Sequence, residues 1–298
     1  MSDQPDGHGS ALPWVYQGFL ALTPEQSALE TARVVLIPVP YDSTTSYRGG
    51  ARDGPAAIIA ASGQMEDYDP ELDLDVAGLG IHTTPSLEPH MGGPALMVQR
   101  VREAVASRIA PGRVVGLLGG EHSLTAGSVQ AHFKARPSLS VLYLDAHADL
   151  RDEYQGTSWG HASAARRAFD HCPVVLAGVR SLCLEERDFI RDNSIPVWPC
   201  PPDGDLLPAE DIVAALGDEV YVSVDLDVFD PSLMSAVGTP EPGGLSWVQV
   251  VSLLRRVGES RRIVGFDVCE LSPGEGPTAC SYTAARLVAK LAAYSTLC

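Results

Sequence analysis

The sequence predicts an α/β fold, a single three-layer α-β-α domain with a mostly parallel, doubly wound sheet. Short runs rich in β-branched residues recur along the chain, and segments with apolar residues three and four positions apart separate them. The runs are continuously apolar and do not alternate with polar residues, which is typical of strands buried on both faces of a parallel sheet.

The elements follow one another as strands and helices in turn. Strands are predicted at 33–38, 113–118, 140–144, 174–179, 195–198, 220–224 and 263–267, and helices at 94–109, 123–134, 184–192, 246–257 and 283–297. Neither an internal repeat nor a low-complexity linker divides the chain, so we expect one domain over residues 1–298, with a partly flexible N-terminal extension at 1–30. In such sheets ligands bind beyond the carboxyl ends of the strands, so the residues after each run carry the functional information.

Net charge, apolar runs and cysteine spacing exclude several classes of protein. The formal net charge of −17 excludes a general nucleic-acid binder and favours a cationic substrate, although solubility alone also explains it. No apolar run approaches the roughly 20 residues that span a bilayer, and the N-terminus does not have the pattern of a signal peptide. We therefore expect no membrane partner. The 6 cysteines lack CxxC spacing, so we expect neither a zinc cluster nor a disulfide framework, and a cytoplasmic location.

Metal-ligating side chains follow three of the predicted strands, in the motifs GGEHS (119–123), DAHAD (145–149) and DLD (225–227). Residues two apart in an extended chain point the same way, so each Asp-x-His-x-Asp or Asp-x-Asp can project its side chains into one space. The candidate ligands are His122, Asp145, His147, Asp149, Asp225 and Asp227.

Four carboxylates and two imidazoles in one buried cleft repel one another unless cations neutralise them, and two divalent ions balance four aspartates. Oxygen and nitrogen ligands without a thiolate favour manganese over zinc. Each motif alone is explained by a polar turn, but all three at strand ends favour a binuclear centre, which generates hydroxide at neutral pH.

These motifs, together with YRGGARDGPAAI (47–58), GHASAARRA (160–168), GTPEPGGLS (238–246) and DVCELSP (267–273), resemble the ureohydrolase family of arginases and agmatinases. The resemblance extends from about residue 34 to the C-terminal helix. It implies an arginase-like fold, two Mn²⁺ per subunit on the six ligands, hydrolysis of a guanidino compound to urea and an amine, and a homo-trimer or homo-hexamer.

The resemblance also implies roles for individual residues. Glu270 matches the glutamate that holds the guanidinium, a role that suits a carboxylate because its two oxygens accept a forked pair of N–H bonds. His161 matches the active-site histidine, which contacts the substrate and shuttles a proton to the leaving amine; the alternative is a partly buried structural histidine. Asp149 relays a proton while it remains a ligand. Glu153, at the expected mouth of the site, is a candidate for binding the cationic substrate. Glu121, beside a ligand, is expected to support the ligands or to be exposed.

The substrate is less defined than the family. Arginases have asparagine where this chain has Arg151, and DLRDEYQG (149–156) resembles prokaryotic agmatinases, so agmatine, cleaved to putrescine and urea, is the leading candidate. We expect Arg151 to point away from the pocket or to pair with an acid. Gly160 replaces the usual serine and either widens the pocket or alters a hydrogen bond to the substrate. Guanidinobutyrate, guanidinopropionate, aminopropyl-agmatine and arginine stay open.

Two other classes compete with this interpretation. A two-metal phosphoesterase also uses aspartates and histidines, but the acidic balance and Glu270 count against it. A non-catalytic, metal-stabilised family member should have lost ligands, whereas all six and Glu270 are present.

Overall fold

A computed structural model describes residues 15–201 and 204–298. Its strands are β1 (Val34–Val39), β2 (Tyr68–Asp69), β3 (Leu74–Asp75), β4 (Ile81–Thr83), β5 (Val114–Gly119), β6 (Leu139–Leu144), β7 (Val174–Val179), β8 (Val197–Pro199), β9 (Glu219–Asp225) and β10 (Arg262–Cys269). Its α-helices are α1 (Gly54–Ser62), α2 (Pro94–Ala106), α3 (Thr125–Ala135), α4 (Ala164–Phe169), α5 (Leu184–Asn193), α6 (Ala209–Ala215), α7 (Trp247–Ser260) and α8 (Thr278–Tyr294).

Eight of the strands form one parallel sheet in the order β4-β1-β5-β10-β9-β6-β7-β8, and β2 pairs with β3 as a small antiparallel hairpin. The chain enters the sheet at β1, adds β4 on its outer side and β5 on its inner side, then crosses to β6 and winds outward through β7 and β8, while β9 and β10 fill the gap between β5 and β6. The order of the strands therefore reverses at the centre of the sheet, where doubly wound folds bind their ligands.

Helices cover both faces of the sheet. Alternate residues of one strand face opposite layers: Leu36 belongs to the core cluster that contains residues of α1, α6, α7 and α8, whereas Val35 belongs to the cluster that contains residues of α2. Residues of α3, α4 and α5 pack against β6 and β7 on the same side as α2. The three-layer arrangement with a parallel sheet confirms the predicted fold class.

All seven predicted strands and five predicted helices are present, with ends displaced by a few residues. The largest displacement is at the C-terminal helix, which begins at Thr278, five residues before the predicted start. Three short helices, α1, α4 and α6, and the strands β2, β3 and β4 were not predicted. The glycine-rich stretch 47–58 forms turns only in its first half, because α1 begins at Gly54 with Pro55 in its first turn.

Part of the predicted extension belongs to the core. Residues 1–14 lie outside the described residues, but Phe19 and Leu22 are buried and pack in the same cluster as Val34 and Ile58. The amide of Phe19 donates a hydrogen bond to the Thr83 hydroxyl at 2.9 Å, which ties this segment to the edge strand β4. The flexibility of the extension stays a prediction. In the part of the chain that the structure describes, none of the helices is both long and apolar enough to cross a membrane.

A buried ion-pair network joins the β2–β3 hairpin to α8. Lys290, 9% exposed, lies 2.7 Å from an oxygen of the buried Asp69 and also contacts Glu71. The Tyr294 hydroxyl donates to Glu71 at 3.0 Å, and Arg255 lies 3.1 Å from the other oxygen of the same carboxylate. Lys290 therefore balances the buried charge of Asp69, and together with Arg255 it balances that of Glu71.

The substitution Lys290→Met is expected to lower the free energy of unfolding by about 3 kcal/mol, because it removes the cation and leaves Asp69 buried without a counter-charge. Urea-induced unfolding followed by circular dichroism measures the loss. Lys134→Met, at the exposed lysine near the end of α3, is the matched control and is expected to change stability by less than about 0.5 kcal/mol. Equal stabilities of the two variants would contradict the role of this network.

Candidate metal and substrate site

The four central strands of the sheet deliver the candidate residues to one edge. In sheet order, β5 is followed by His122, β10 by Glu270, β9 ends at Asp225 and β6 is followed by Asp145. The registers Cys269↔Asp225 and Leu144↔Val224 keep these strand ends level. Parallel strands therefore bring together residues that are up to 148 positions apart in the sequence.

His122 is the centre of one ligand group. Its Nδ1 lies 3.1 Å from Oδ2 of Asp145, 3.1 Å from Oδ2 of Asp225 and 3.5 Å from Oδ2 of Asp149. All four side chains are buried. Oxygen and nitrogen atoms of different side chains approach this closely when they converge on one small space, as ligands of a single ion do.

His147 is the centre of a second group. Its Nδ1 lies 3.0 Å from Oδ2 of Asp227 and 3.4 Å from Oδ1 of Asp145. Asp145 thus directs one oxygen to each group. A carboxylate in this position can bridge two ions. Asp145 is shared by the groups His122–Asp145–Asp149 and Asp145–His147–Asp227, and Asp225 joins the first group through its contact with His122.

The electrostatics of these groups fit two cations. Burial, and then the neighbouring charges of Asp227 and Asp149, raise the pKa of Asp145 to about 7. Burial and the same kind of repulsion raise the pKa of Asp225 well above its usual value. Burial opposes the charged form of His147, yet its hydrogen bonds to Asp145 and Asp227 outweigh burial and raise its pKa to about 12. Without metal ions, protons must supply the positive charge that this donor set requires.

Partners behind His122 fix its orientation. With Nδ1 directed at the aspartates, Nε2 is placed to donate to Oγ of Ser223 at 2.8 Å, and Ser223 donates to Asp267 at 2.8 Å. Tyr143 stacks on the imidazole with ring centroids 4.5 Å apart and donates its hydroxyl proton to Asp149 at 2.8 Å. Such hydrogen bonds behind a ligand hold the tautomer and raise the basicity of the ring.

The local backbone departs from the extended chain assumed in the prediction. Asp149 has φ +50° and Glu270 has φ +68°, values uncommon for residues other than glycine. Asp227 reaches the site through a 3₁₀ turn at Leu226–Val228, where its amide donates to Asp225 at 2.8 Å. The prediction that these side chains share one space agrees with the structure, but strand alternation is not the reason for Asp149 and Asp227.

Arg180 holds the loop that carries Asp227, a contact that the sequence did not reveal. Its guanidinium donates to the backbone oxygens of Asp227 at 2.7 Å and Glu241 at 2.8 Å. It also donates to backbone oxygens of Gly178 and Val228. One planar side chain therefore joins the metal loop to the following GTPEPGGLS segment.

A cavity of about 250 Å³ opens above the ligands. Its lining residues are Ser46, His147, Asp149, Arg151, Tyr154, His161, Ala162, Ser181, Leu182, Cys183, Glu186, Asp225 and Thr239. Three of the six candidate ligands and His161 thus face the same space, which can admit a small molecule.

Glu270 lies beside the candidate ligands, is 6% exposed and is not among the residues that line the cavity. Its Oε1 accepts the backbone N–H of His122 at 2.7 Å, while its Oε2 accepts no hydrogen bond from any described residue. Burial, followed by the charge of Glu121, raises the pKa of Glu270 to about 8. A cation with N–H donors would restore the charged form and occupy the free oxygen.

His161 lines the cavity, and its Nε2 is buried without a hydrogen-bond partner in the described chain. Burial lowers its pKa, so the neutral imidazole is the stable form at neutral pH. A neutral ring with an unpartnered nitrogen can accept or donate a proton, as the predicted shuttle requires.

Glu153 and Arg151 differ from expectation. Glu153 is exposed and is not among the cavity residues, because the Tyr154–Thr157 turn directs Tyr154 inward. The structure therefore gives no support to Glu153 as a substrate-binding residue. Arg151 lines the cavity with its guanidinium 4.7 Å from the centre of the Tyr154 ring, so it neither points away nor pairs with an acid among the described residues. The aromatic ring takes the place of the expected acidic partner.

Gly160 is not required by the backbone, whose φ is −86°. A Cβ at this position would lie 3.4 Å from both Cγ2 of Thr157 and Oγ1 of Thr44. A serine would therefore fit with small shifts, and the glycine leaves a little more space beside the Thr44 hydroxyl.

Comparison with known proteins agrees with this geometry. The model of the arginase family matches residues 32–294. The chain is 42% identical over 262 residues to N(1)-aminopropylagmatine ureohydrolase from Thermus thermophilus, covering 87% of this chain and 89% of that protein. It is 36% identical over 267 residues to agmatinase from Pyrococcus horikoshii, covering 87% and 91%.

A solved structure shares the fold. Proclavaminate amidino hydrolase from Streptomyces clavuligerus superposes with a TM-score of 0.85 at 29% identity, covering 94% of this chain and 96% of that one. The family match spans the whole sheet and every residue of the two ligand groups. The chain therefore belongs to the arginase family and is an enzyme of the ureohydrolase type.

Proposed function

We propose that the chain is a binuclear manganese ureohydrolase that cleaves guanidino compounds with a positively charged amine tail. The observation that carries the proposal is the pair of ligand groups sharing Asp145, with the free oxygen of Glu270 and the unpartnered nitrogen of His161 beside them. Two bound Mn²⁺ would supply activated water at neutral pH and positive charge beside the reacting carbon.

Three side chains bind the guanidinium and transfer the protons. Glu270 accepts N–H bonds from the guanidinium through Oε2 while His122 holds Oε1, which fixes the planar group in one orientation. His161 takes up through Nε2 the proton that Asp149 receives from the attacking water and passes it to the leaving amine nitrogen, which lets the carbon–nitrogen bond break. Asp149, hydrogen-bonded by Tyr143, stays oriented as a ligand and accepts a proton from the attacking water.

The tail of the substrate occupies the rest of the cavity. Glu186 lines this part, with its two oxygens accepting the amides of Leu150 at 3.0 Å and Cys183 at 2.8 Å. Its negative charge is not cancelled by an ion pair among the described residues, so it favours an ammonium in the cavity. Arg151 opposes this effect but is already stacked on Tyr154.

Two amines fit this description. The identities of 42% and 37% to proteins named N(1)-aminopropylagmatine ureohydrolase favour N(1)-aminopropylagmatine, and the 36% identity to an agmatinase supports agmatine. We place N(1)-aminopropylagmatine first and agmatine, the candidate suggested by the sequence, second.

Urea release by the manganese-loaded protein tests the proposal, with N(1)-aminopropylagmatine, agmatine, arginine, guanidinobutyrate and guanidinopropionate as substrates. We expect kcat/KM for the two amines to exceed that for arginine and the guanidino acids by at least about a hundredfold, since the acids carry a carboxylate toward Glu186. Preference for a guanidino acid would contradict the proposal that the substrate tail carries a positively charged amine. Release of no urea from any compound would contradict the proposed ureohydrolase activity. Manganese as the native metal, a trimer or hexamer, and a cytoplasmic location stay predictions.

A further inference from the structure

We infer that Glu121 and Thr44 are positioning residues that set the place of His161 over the reacting atoms, an inference that rests on the proposed function. Glu121 belongs to the GGEHS motif and Thr44 to the loop after β1. Neither side chain lines the cavity, and the two act through the backbone of His161.

Glu121 is a fully buried carboxylate that is satisfied by Thr44 and Ser123. Its Oε2 accepts the amide of Thr44 at 2.6 Å, and its Oε1 accepts the Thr44 hydroxyl at 2.6 Å. The Ser123 hydroxyl donates to the same Oε1. A buried carboxylate is costly unless it is hydrogen-bonded, so three donors in this small space hold the loop firmly.

The backbone makes the two segments one unit. The amide of Gly120 donates to Val39 at 3.0 Å, and that of Glu121 donates to Tyr41 at 2.8 Å. A Cβ on Gly120 would lie 1.8 Å from the backbone oxygen of Tyr41, so only glycine permits this approach. The motif that supplies the ligand His122 is therefore fastened to the loop that carries Thr44.

The hydroxyl of Thr44 connects this anchored loop to the backbone of His161. Its Oγ1, having donated its proton to Glu121, accepts the backbone N–H of His161 at 3.0 Å. His161 begins a 3₁₀ turn at His161–Ser163, and its ring enters the cavity with Nε2 unpartnered. No other hydrogen bond holds the ring in the described chain, so the backbone bond to Thr44 and the turn fix its position.

The arrangement links metal binding to proton transfer. His122 follows Glu121 directly, and His161 depends on Glu121 through one hydroxyl. The same loop also carries Ser46, which lines the cavity. A displacement of His161 by about 1 Å would reduce turnover strongly without removing any group that contacts the metals.

The test compares Thr44→Val with Thr44→Ser. Valine has nearly the same shape but lacks the hydroxyl, so it removes the bonds that Oγ1 makes to Glu121 and His161, while the backbone amide of residue 44 still donates to Glu121. We expect Thr44→Val to lower kcat by about ten- to a hundredfold with KM changed less than about threefold and two manganese ions retained. Thr44→Ser keeps the hydroxyl and is expected to rescue most of the rate.

A second readout does not depend on turnover. In the manganese-loaded protein, hydrogen exchange of the His161 amide is expected to accelerate at least about tenfold in Thr44→Val and to stay near the wild-type rate in Thr44→Ser. Equal kcat in wild type and Thr44→Val would overturn the inference, as would equal losses in the two variants or loss of metal from Thr44→Val. If the wild type releases no urea, the proposed function fails, while the exchange rates still decide whether Thr44 holds His161.

Discussion

Replacing Asp145 with asparagine is expected to reduce urea release by at least about a thousandfold and to lower bound manganese from two ions per chain to one or fewer. Asp145 directs Oδ2 to the His122 group and Oδ1 to the His147 group, so it is the side chain that both groups share. Asparagine keeps the shape but offers one neutral oxygen and an NH₂ that cannot coordinate. Loss of several kcal/mol of charge stabilisation corresponds to about three orders of magnitude in rate.

Metal content and steady-state rates of the same preparations measure this effect. Asp218→Asn is a matched control, because Asp218 is exposed and precedes β9 at the opposite end of the strand from Asp225. It should retain two ions and the wild-type rate. An Asp145→Asn protein that still binds two ions and turns over normally would rule out the shared-ligand arrangement.

The strands of the sheet could be predicted because burial on both faces requires a continuous run of apolar residues, which is easily recognised in the sequence. Val34–Val39 and Val174–Val179 are buried at every position, and both appear as continuous apolar runs. The edge strand β4, IHT, has three residues, of which His82 and Thr83 are partly exposed, so it does not form a continuous apolar run. Helix α1, with the sequence GPAAIIAAS, has apolar residues around its whole circumference, which hid its periodicity.

That the six candidate ligands lie together could also be predicted, since their side chains follow strands that were themselves recognisable. Contacts made by loops could not. Thr44 and Arg180 lie in unremarkable local sequence, and their roles depend on backbone atoms of segments brought close by the fold. Glu121 had a signal, its place beside a ligand, but sequence alone could not choose between burial and exposure. Acidity near the expected mouth suggested Glu153, whereas the Tyr154–Thr157 turn places that side chain outside the cavity.

The substitution Glu270→Gln is expected to lower kcat/KM for guanidino substrates by two to three orders of magnitude while both metal ions stay bound. Glutamine can still accept the amide of His122 through Oε1, so the backbone at φ +68° keeps its anchor. Its NH₂ group, however, would face the N–H donors of the guanidinium where Oε2 now lies, and an ion pair with forked hydrogen bonds would be lost. Breaking such a buried pair costs about 3–5 kcal/mol, which corresponds to the expected fall.

Glu153→Gln makes the same chemical change at an exposed side chain near the mouth and is expected to leave kcat/KM within about twofold of wild type. Steady-state kinetics with agmatine and with N(1)-aminopropylagmatine, together with metal analysis, separate the two variants. Loss of metal from Glu270→Gln would mean that this carboxylate supports the ligands and not the substrate. A tenfold rise in KM for Glu153→Gln would instead show that Glu153 contacts the substrate tail at the mouth of the cavity that Arg151 and Tyr154 line.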